Sequence, residues 1–195
     1  MIYEKIKKRR SIRKFTQKEI RGDILTKCVD AARLSPSGKN RQPLIFVIVN
    51  DEQLLERVFN TTSWAGYLPN YYPTKEEMPR AYVIILVDKN IRQDCGHDCG
   101  IAAMSISMVA YENNLGSCIL GALDRLKLRS ILNIPENCKI SLAVALGYPA
   151  EEPIIDKVRK NDIKYWLDKE GKLHVPKRRL EEIMTWNAFP NHSAS

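Results

Sequence analysis

Ser35-Pro36-Ser37-Gly38-Lys39-Asn40-Arg41-Gln42-Pro43-Leu44-Ile45-Phe46-Val47-Ile48-Val49 joins two kinds of chain. Up to Pro43 it is too rich in breakers and small polar residues to be the interior of a helix or strand, so it reads as a loop. From Leu44 to Val49 it is continuously apolar and of strand length, which reads as a buried central strand. A loop fixed to such a strand can hold chemistry in place. Gly38 allows close backbone approach to a planar ring, while Ser37, Asn40 and Gln42 offer donors and acceptors to ring or ribityl oxygens. The same residues also suit a plain surface connection.

Upstream, a helix is expected from about Asp23 to Leu34, with Ile24, Cys28, Ala31 and Ala32 on its buried face and Asp23 as its cap. Before it, Ile2 and Ile6 give a short N-terminal helix one apolar stripe. That helix delivers Arg9-Arg10-Ser11-Ile12-Arg13. Guanidinium forks match phosphate oxygens bidentately and a serine hydroxyl adds a shorter bond, so the cluster reads as an anion clamp. Solvated positive charge at a helix C-terminus is the plainer account.

Downstream, a helix is expected over about Glu52 to Thr61. An aromatic, Pro-rich stretch holding Trp64, Tyr67, Tyr71 and Tyr72 follows, either as packing or as a cover for a flat ligand. Ala81 to Val87 is a second buried strand. From Asp98 to Asn113, Ile101, Met104, Ser105, Met108 and Tyr111 recur at helical spacing while Ala102, Ala103 and Ala110 thin the rest, which predicts a central helix capped by Gly116. Ser117 to Gly121 reads as a short strand, Arg125 to Leu132 as a helix, and Ile140 to Leu146 as a strand ending at Gly147-Tyr148-Pro149. The chain is expected to form one domain over residues 1–195, its extension 150–195 wrapping the core or a partner subunit. Within that extension Arg178 to Trp186 reads as a helix with Leu180, Ile183 and Met184 as its apolar face.

The 195 residues, 44% of them hydrophobic, suffice for a core, and the net charge of +8 permits an anionic ligand, nucleic acid or an acidic surface without choosing among them. No apolar run approaches the ~18 to 20 residues of a membrane span, and Met1-Ile2-Tyr3-Glu4 lacks the apolar run of a secretion signal, so a cytoplasmic protein without a membrane partner is expected. Cys28, Cys95, Cys99, Cys118 and Cys138 are an odd, scattered set, as reduced buried thiols would be. Cys95-Gly96-His97-Asp98-Cys99 has metal-like spacing but no second ligand pair, so no metal is expected.

An Arg-Arg-Ser-x-Arg cluster, a Pro-Ser-Gly-x-Asn-x-Gln-Pro loop before a strand, a glycine turn after a central helix and a Gly-Tyr-Pro strand end, in this order, resemble the FMN-dependent nitroreductase family over about residues 2–160. The resemblance implies an α+β fold with a mixed, mostly antiparallel sheet flanked by helices, in an intertwined homodimer with flavin at the subunit interface. It further implies that Arg9, Arg10, Ser11 and Arg13 hold the FMN phosphate and ribityl end. Pro36, Ser37, Gly38, Asn40 and Gln42 would line the flavin, part of that loop serving the other subunit's cofactor. Leu120 and Gly121 would approach the ring through backbone groups, Gly147 would lie near the phosphate, and Lys157 or Arg159 would complete the phosphate site. Trp64, Tyr67, Tyr71 and Tyr72 are candidates for the substrate pocket.

The implied activity is hydride transfer from NAD(P)H to FMN and on to a small electron-poor acceptor such as a nitroaromatic or quinone, by a ping-pong mechanism. The chemistry resides on the cofactor, so no catalytic side chain is expected. A flavoenzyme with a specialised substrate, a dehydrogenase or dehalogenase, is the alternative. A basic nucleic-acid-binding module is a third reading, but the chain shows no recognition element for a specific nucleic acid.

Overall fold

The computed structural model describes residues 1–68, 71–158 and 162–189. The chain forms two compact units, Met1–Glu151 and Glu152–Ser195. The first contains helices α1 (Ile2–Lys8), α2 (Gly22–Arg33), α3 (Glu52–Phe59), α4 (Asp98–Glu112) and α5 (Arg125–Leu132) and strands β1 (Leu44–Val49), β2 (Ala81–Asp88), β3 (Gly116–Leu120) and β4 (Cys138–Gly147). The strands form one antiparallel sheet in the order β1-β2-β4-β3.

The central strand is β2, in which every residue from Ala81 to Val87 is buried. The apolar run Leu44–Val49, expected at the centre, is instead the edge strand β1, with Ile45 and Ile48 exposed at 41% and 37%. An unbroken apolar run reports what a strand can bury and carries no information about its neighbours. On one face of the sheet, Ile24, Leu25, Cys28 and Ala32 of α2 pack with Ala102, Ala103, Ile106 and Ala110 of α4 against Val83, Ile85, Val144 and Leu146. Each fully buried Leu or Ile there contributes about 1.5–3 kcal/mol.

α4 turns its small residues inward, because α2 and the sheet approach it closely. Its larger stripe of Ile101, Met104 and Met108 faces out and lines, with Ile2, Lys5 and Glu112, an apolar groove of about 690 Å³. Local capping follows side-chain chemistry at α3 and α5, where Asp51 accepts from Leu54 N–H at 3.0 Å and Asp124 from Lys127 N–H at 3.1 Å. Two expected caps differ. Asp23 lies inside the first turn of α2 and pairs with Arg21 and Lys27, while Arg21 takes the cap position. After α4 the chain reverses at Asn114, whose φ is +60°, and Gly116 already belongs to β3.

The second unit is a small mixed sheet. Its strand β5 (Ile154–Lys157) runs parallel to β7 (Leu173–Lys177), and β6 (Trp166–Leu167) is antiparallel to β7. His174 stacks on Trp166 with ring centroids 4.0 Å apart. The helix expected over Arg178 to Trp186 is reduced to one 3-10 turn, Leu180–Glu182, and Leu180, Ile183 and Trp186 are exposed. An amphipathic helix draws most of its stability from burying its apolar face, and that face is unburied here. Among the described residues no helix is long and apolar enough to cross a membrane.

Candidate functional site

The arginine segment is an extended strip along the free edge of β3. Ser11 bridges Ser117 in parallel, and Ile12 N–H donates to Ser117 O at 2.9 Å. Two glycines facing each other across β3 and β4, Gly116 and Gly147, make the docking possible. A Cβ on Gly116 would lie 2.7 Å from Ile12, and one on Gly147 would lie 2.6 Å from the Phe15 ring. Ile12 and Phe15 therefore sit as two knobs in spaces only glycine leaves open. Backbone bonds from Phe15 N–H to Glu77 O (3.0 Å), Thr16 N–H to Tyr148 O (2.8 Å) and Ala150 N–H to Lys14 O (2.9 Å) complete the anchor.

With the backbone so fixed, Arg9 and Arg10 are drawn into partial burial. Arg9 Nε and Arg10 Nη2 are buried without a hydrogen-bond partner. Burial lowers the pKa of both guanidinium groups, and for Arg10 the neighbouring Arg9 charge lowers it further. Buried donors left unpaired carry a desolvation cost that an anion would offset. Beneath them, burial pushes the Cys118 thiol up to about 11, with the Arg13 and Arg9 charges pulling the other way. Glu151 ties this segment to the aromatic stretch. Its carboxylate accepts the Arg13 N–H, the Lys14 N–H at 3.2 Å and the Tyr71 hydroxyl at 2.7 Å. Burial and the Glu151 carboxylate together push the Tyr71 phenol up.

The loop is built differently. Gly38–Asn40 forms a 3-10 turn, and Lys39, Asn40 and Gln42 have φ of +54°, +53° and +50°. These left-handed conformations are held by Gln42 N–H to Ser37 Oγ (3.0 Å), Gln42 Nε2 to Asn40 O (3.3 Å) and Gly38 N–H to Asp98 Oδ1 (3.1 Å). Pro36, Gly38, Asn40 and Gln42 are exposed. Asp98 begins α4, whereas Arg10 lies near Tyr111 in the last turn of that helix. At about 1.5 Å per residue, the two neighbourhoods stand roughly 20 Å apart within one chain. The loop and the arginine segment are thus not brought together.

Gly147 does lie with the arginine segment, although the packing of Phe15 already accounts for its lack of a side chain. Leu120 is buried at the far end of β3, and Gly121 O accepts from Arg125 Nη2 at 3.0 Å. Trp64 is 7% exposed, donates Nε1–H to Thr62 Oγ1 at 2.8 Å and packs against Phe59, so it is part of the core. Tyr72 meets Phe59 edge-on at 4.9 Å, with its hydroxyl on Phe59 O, and Tyr67 is half exposed. Lys157 is an exposed residue of the second unit, and Arg159 lies outside the described residues. Cys95 Sγ stands 3.4 Å from Ser141 Oγ, and burial, followed by Cys95, pushes the Cys99 thiol up to about 12. Sequence reasoning missed Glu151 and Asp98. Their contacts span 138 and 60 residues, and no local pattern announces a partner so distant.

A fold of helices on an antiparallel sheet, carrying a docked arginine strip and a separate polar loop, coincides with a match of the nitroreductase family model to residues 6–148. The chain belongs to the nitroreductase family and is an oxidoreductase. It is 32% identical over 161 residues, covering 78% of this chain and 79% of the relative, to a candidate NADH dehydrogenase/NAD(P)H nitroreductase of Methanothermobacter thermautotrophicus. It is 27% identical to iodotyrosine deiodinase 1 of Sus scrofa, over 93% of this chain and 67% of that protein. Among solved structures, an FMN-dependent nitroreductase of Clostridium difficile R20291 superposes with a TM-score of 0.69 at 25% identity, covering 95% of this chain and 98% of that one.

Proposed function

We propose that the protein is an FMN-dependent oxidoreductase acting as a homodimer. The observation that carries this reading is the pair of buried, unpartnered guanidinium donors at Arg9 and Arg10 on a strip fixed by the sheet. They fit a phosphate: guanidinium stays charged throughout the physiological range, and its planar fork matches phosphate oxygens. Arg9, Arg10, Ser11 and Arg13 would hold the phosphate end, and Leu120 and Gly121 would face the ring through their backbone. Bound FMN would supply hydride transfer from NAD(P)H to an electron-poor acceptor in two half-reactions at one face. The protein's share is to bind, orient and limit water at that face. Tyr71, tethered by Glu151, and the exposed Tyr67 would border the acceptor.

The separation of loop and arginines along α4 supports a site shared between subunits. The exposed loop would line a partner's flavin, and the outward Ile101, Met104 and Met108 stripe would meet its counterpart. Exposed Leu180, Ile183 and Trp186 likewise support an extension that finds its cover on a partner. A specialised dehalogenase is the second reading, favoured by the similarity to iodotyrosine deiodinase over nearly the whole chain.

The deciding experiment is an absorbance spectrum of the FMN-reconstituted protein before and after anaerobic NAD(P)H. Flavin bands that bleach, and return when a quinone or nitroaromatic is added, are expected. A protein that retains no FMN would overturn the proposal. Release of iodide from an iodinated phenol, with nitro reduction slow, would select the second reading.

A further inference from the structure

Asp98 is a buried carboxylate that the proposed chemistry does not use. Its side chain is only 6% exposed, yet Oδ2 has no hydrogen-bond partner and the nearest charge, Arg92 Nη1, is 3.9 Å away. A carboxylate taken this far from water is ordinarily held by several donors. Its other oxygen, Oδ1, accepts from the N–H of Gly38 at 3.1 Å. The N-terminal end of α4 offsets part of the charge, but a group serving only its own helix would face that helix's free amides. Asp98 reaches instead to a loop 60 residues earlier in the chain.

Arg92 closes the other side. Its guanidinium pairs with Asp94 at 3.3 Å and lies over two glycines. A Cβ on Gly38 would fall 3.3 Å from Arg92 Nη1, and one on Gly96, whose φ is +49°, would fall 2.8 Å from Nη2. Arg92 is itself fixed by its N–H to Asp88 O at 3.0 Å, at the end of central strand β2. Gly38 is thus bonded to Asp98 on one side and has the Arg92 guanidinium close over it on the other. Three departures into left-handed space within four residues, at Lys39, Asn40 and Gln42, persist only where the surroundings over-determine them. Asp98 also lines, with Pro36, Ser37 and Gln42, a pocket of about 150 Å³ behind the loop.

We propose that Asp98, flanked by Arg92, is the positioning residue of the cofactor loop: by fixing Gly38 it sets where Ser37, Asn40 and Gln42 meet the flavin. The inference rests on the reading that this loop lines FMN. It is tested by amide hydrogen exchange at Gly38 in the apoprotein and by FMN titration of wild type, Asp98→Ala and Asp98→Asn. In Asp98→Ala, exchange at Gly38 should accelerate about tenfold and FMN should bind about tenfold more weakly, as expected for a lost buried acceptor. Amides inside α4, such as Ala103 and Ser107, should keep their protection. Asp98→Asn retains an acceptor oxygen and should restore both values to within about threefold.

Wild-type FMN affinity in folded Asp98→Ala would overturn the proposal, as would equal losses in both variants with Gly38 still protected. If Asp98→Ala does not fold, Arg92→Met serves instead: Gly38 exchange and FMN affinity should both loosen, and unchanged values would overturn the proposal. Wild-type protein that binds no FMN would remove the cofactor reading. Gly38 exchange would then still decide whether Asp98 fixes the loop.

Discussion

The strip Arg9–Phe15 and the loop Ser35–Pro43 both present polar groups for a ligand, and they are held by opposite means. The strip lies in relaxed extended backbone, bonded to β3 and to the segment after β4, and pinned by two apolar knobs over two glycines. The loop has no sheet partner, keeps three non-glycine residues at positive φ and hangs on a buried carboxylate. The strip draws on packing energy, which is large and non-directional; the loop draws on a few directional bonds. Damage to the strip should therefore register as global instability, and damage to the loop should register locally.

The largest effect should come from removing a knob. Phe15 is 1% exposed, and Phe15→Ala should cost about 3–5 kcal/mol in urea unfolding, the range for a large aromatic deleted from a packed core. A cost below about 1 kcal/mol would mean that the strip is held by its hydrogen bonds alone, and the contrast with the loop would collapse. Next comes Arg10→Met, which keeps the apolar stem but removes the charge. Since burial already depresses the Arg10 pKa, stability should hold or rise. FMN binding should weaken roughly ten- to a hundredfold, the equivalent of about 1.5–3 kcal/mol for a charged hydrogen bond. Parallel losses of stability and affinity would show that Arg10 is structural.

Buried thiols underlie both regions, Cys118 beneath the strip and Cys99 beside Asp98, raised to about 11 and about 12 from an ordinary 9.0. A raised thiol stabilises the fold fully below pH 9, where folded and unfolded chains are both protonated. Above pH 9 the unfolded chain releases protons that the folded chain keeps, so stability falls as pH rises. One pK unit corresponds to about 1.4 kcal/mol. Cys118→Ala should make the fall between pH 8 and 10 shallower by about 1 kcal/mol, measured as urea midpoints at the two values. An unchanged slope would mean that the arginines hold the thiol near its ordinary range.

What was legible in the sequence follows the same division. Strands and helices with strong periodicity or continuous apolar runs were placed within a residue or two, because their signal is local. Strand order was not, and the run at Leu44–Val49 went to the edge. The stripe on α4 is legible as a period, and its small residues as room for close approach, but the outward facing of Ile101, Met104 and Met108 is not, since it depends on which side α2 and the sheet press against. The arginine cluster was legible as charge, while its docking was not, since Gly116 and Gly147 acquire meaning only when β3 and β4 pair. Glu151 and Asp98 look like ordinary acidic residues until the fold brings Arg13, Tyr71 and Gly38 to them.

The smallest effect should sharpen the comparison most. Lys39 sits at φ +54° and ψ +25°, a left-handed conformation that costs an L-residue about 1–2 kcal/mol. Glycine would remove that strain, while its freer unfolded chain would return roughly 0.5–1 kcal/mol of the gain. Lys39→Gly should therefore stabilise the protein by less than about 1 kcal/mol, read as a small rise in melting temperature. Asn40→Gly should do less still, because asparagine tolerates the same region. If Lys39→Gly instead destabilised the fold, the lysine side chain would be holding the loop, and the hold on Gly38 from Asp98 and Arg92 would be insufficient by itself. If it stabilised the fold but quickened FMN release, the strained backbone would be what aims the loop, traded against stability where the strip makes no such trade.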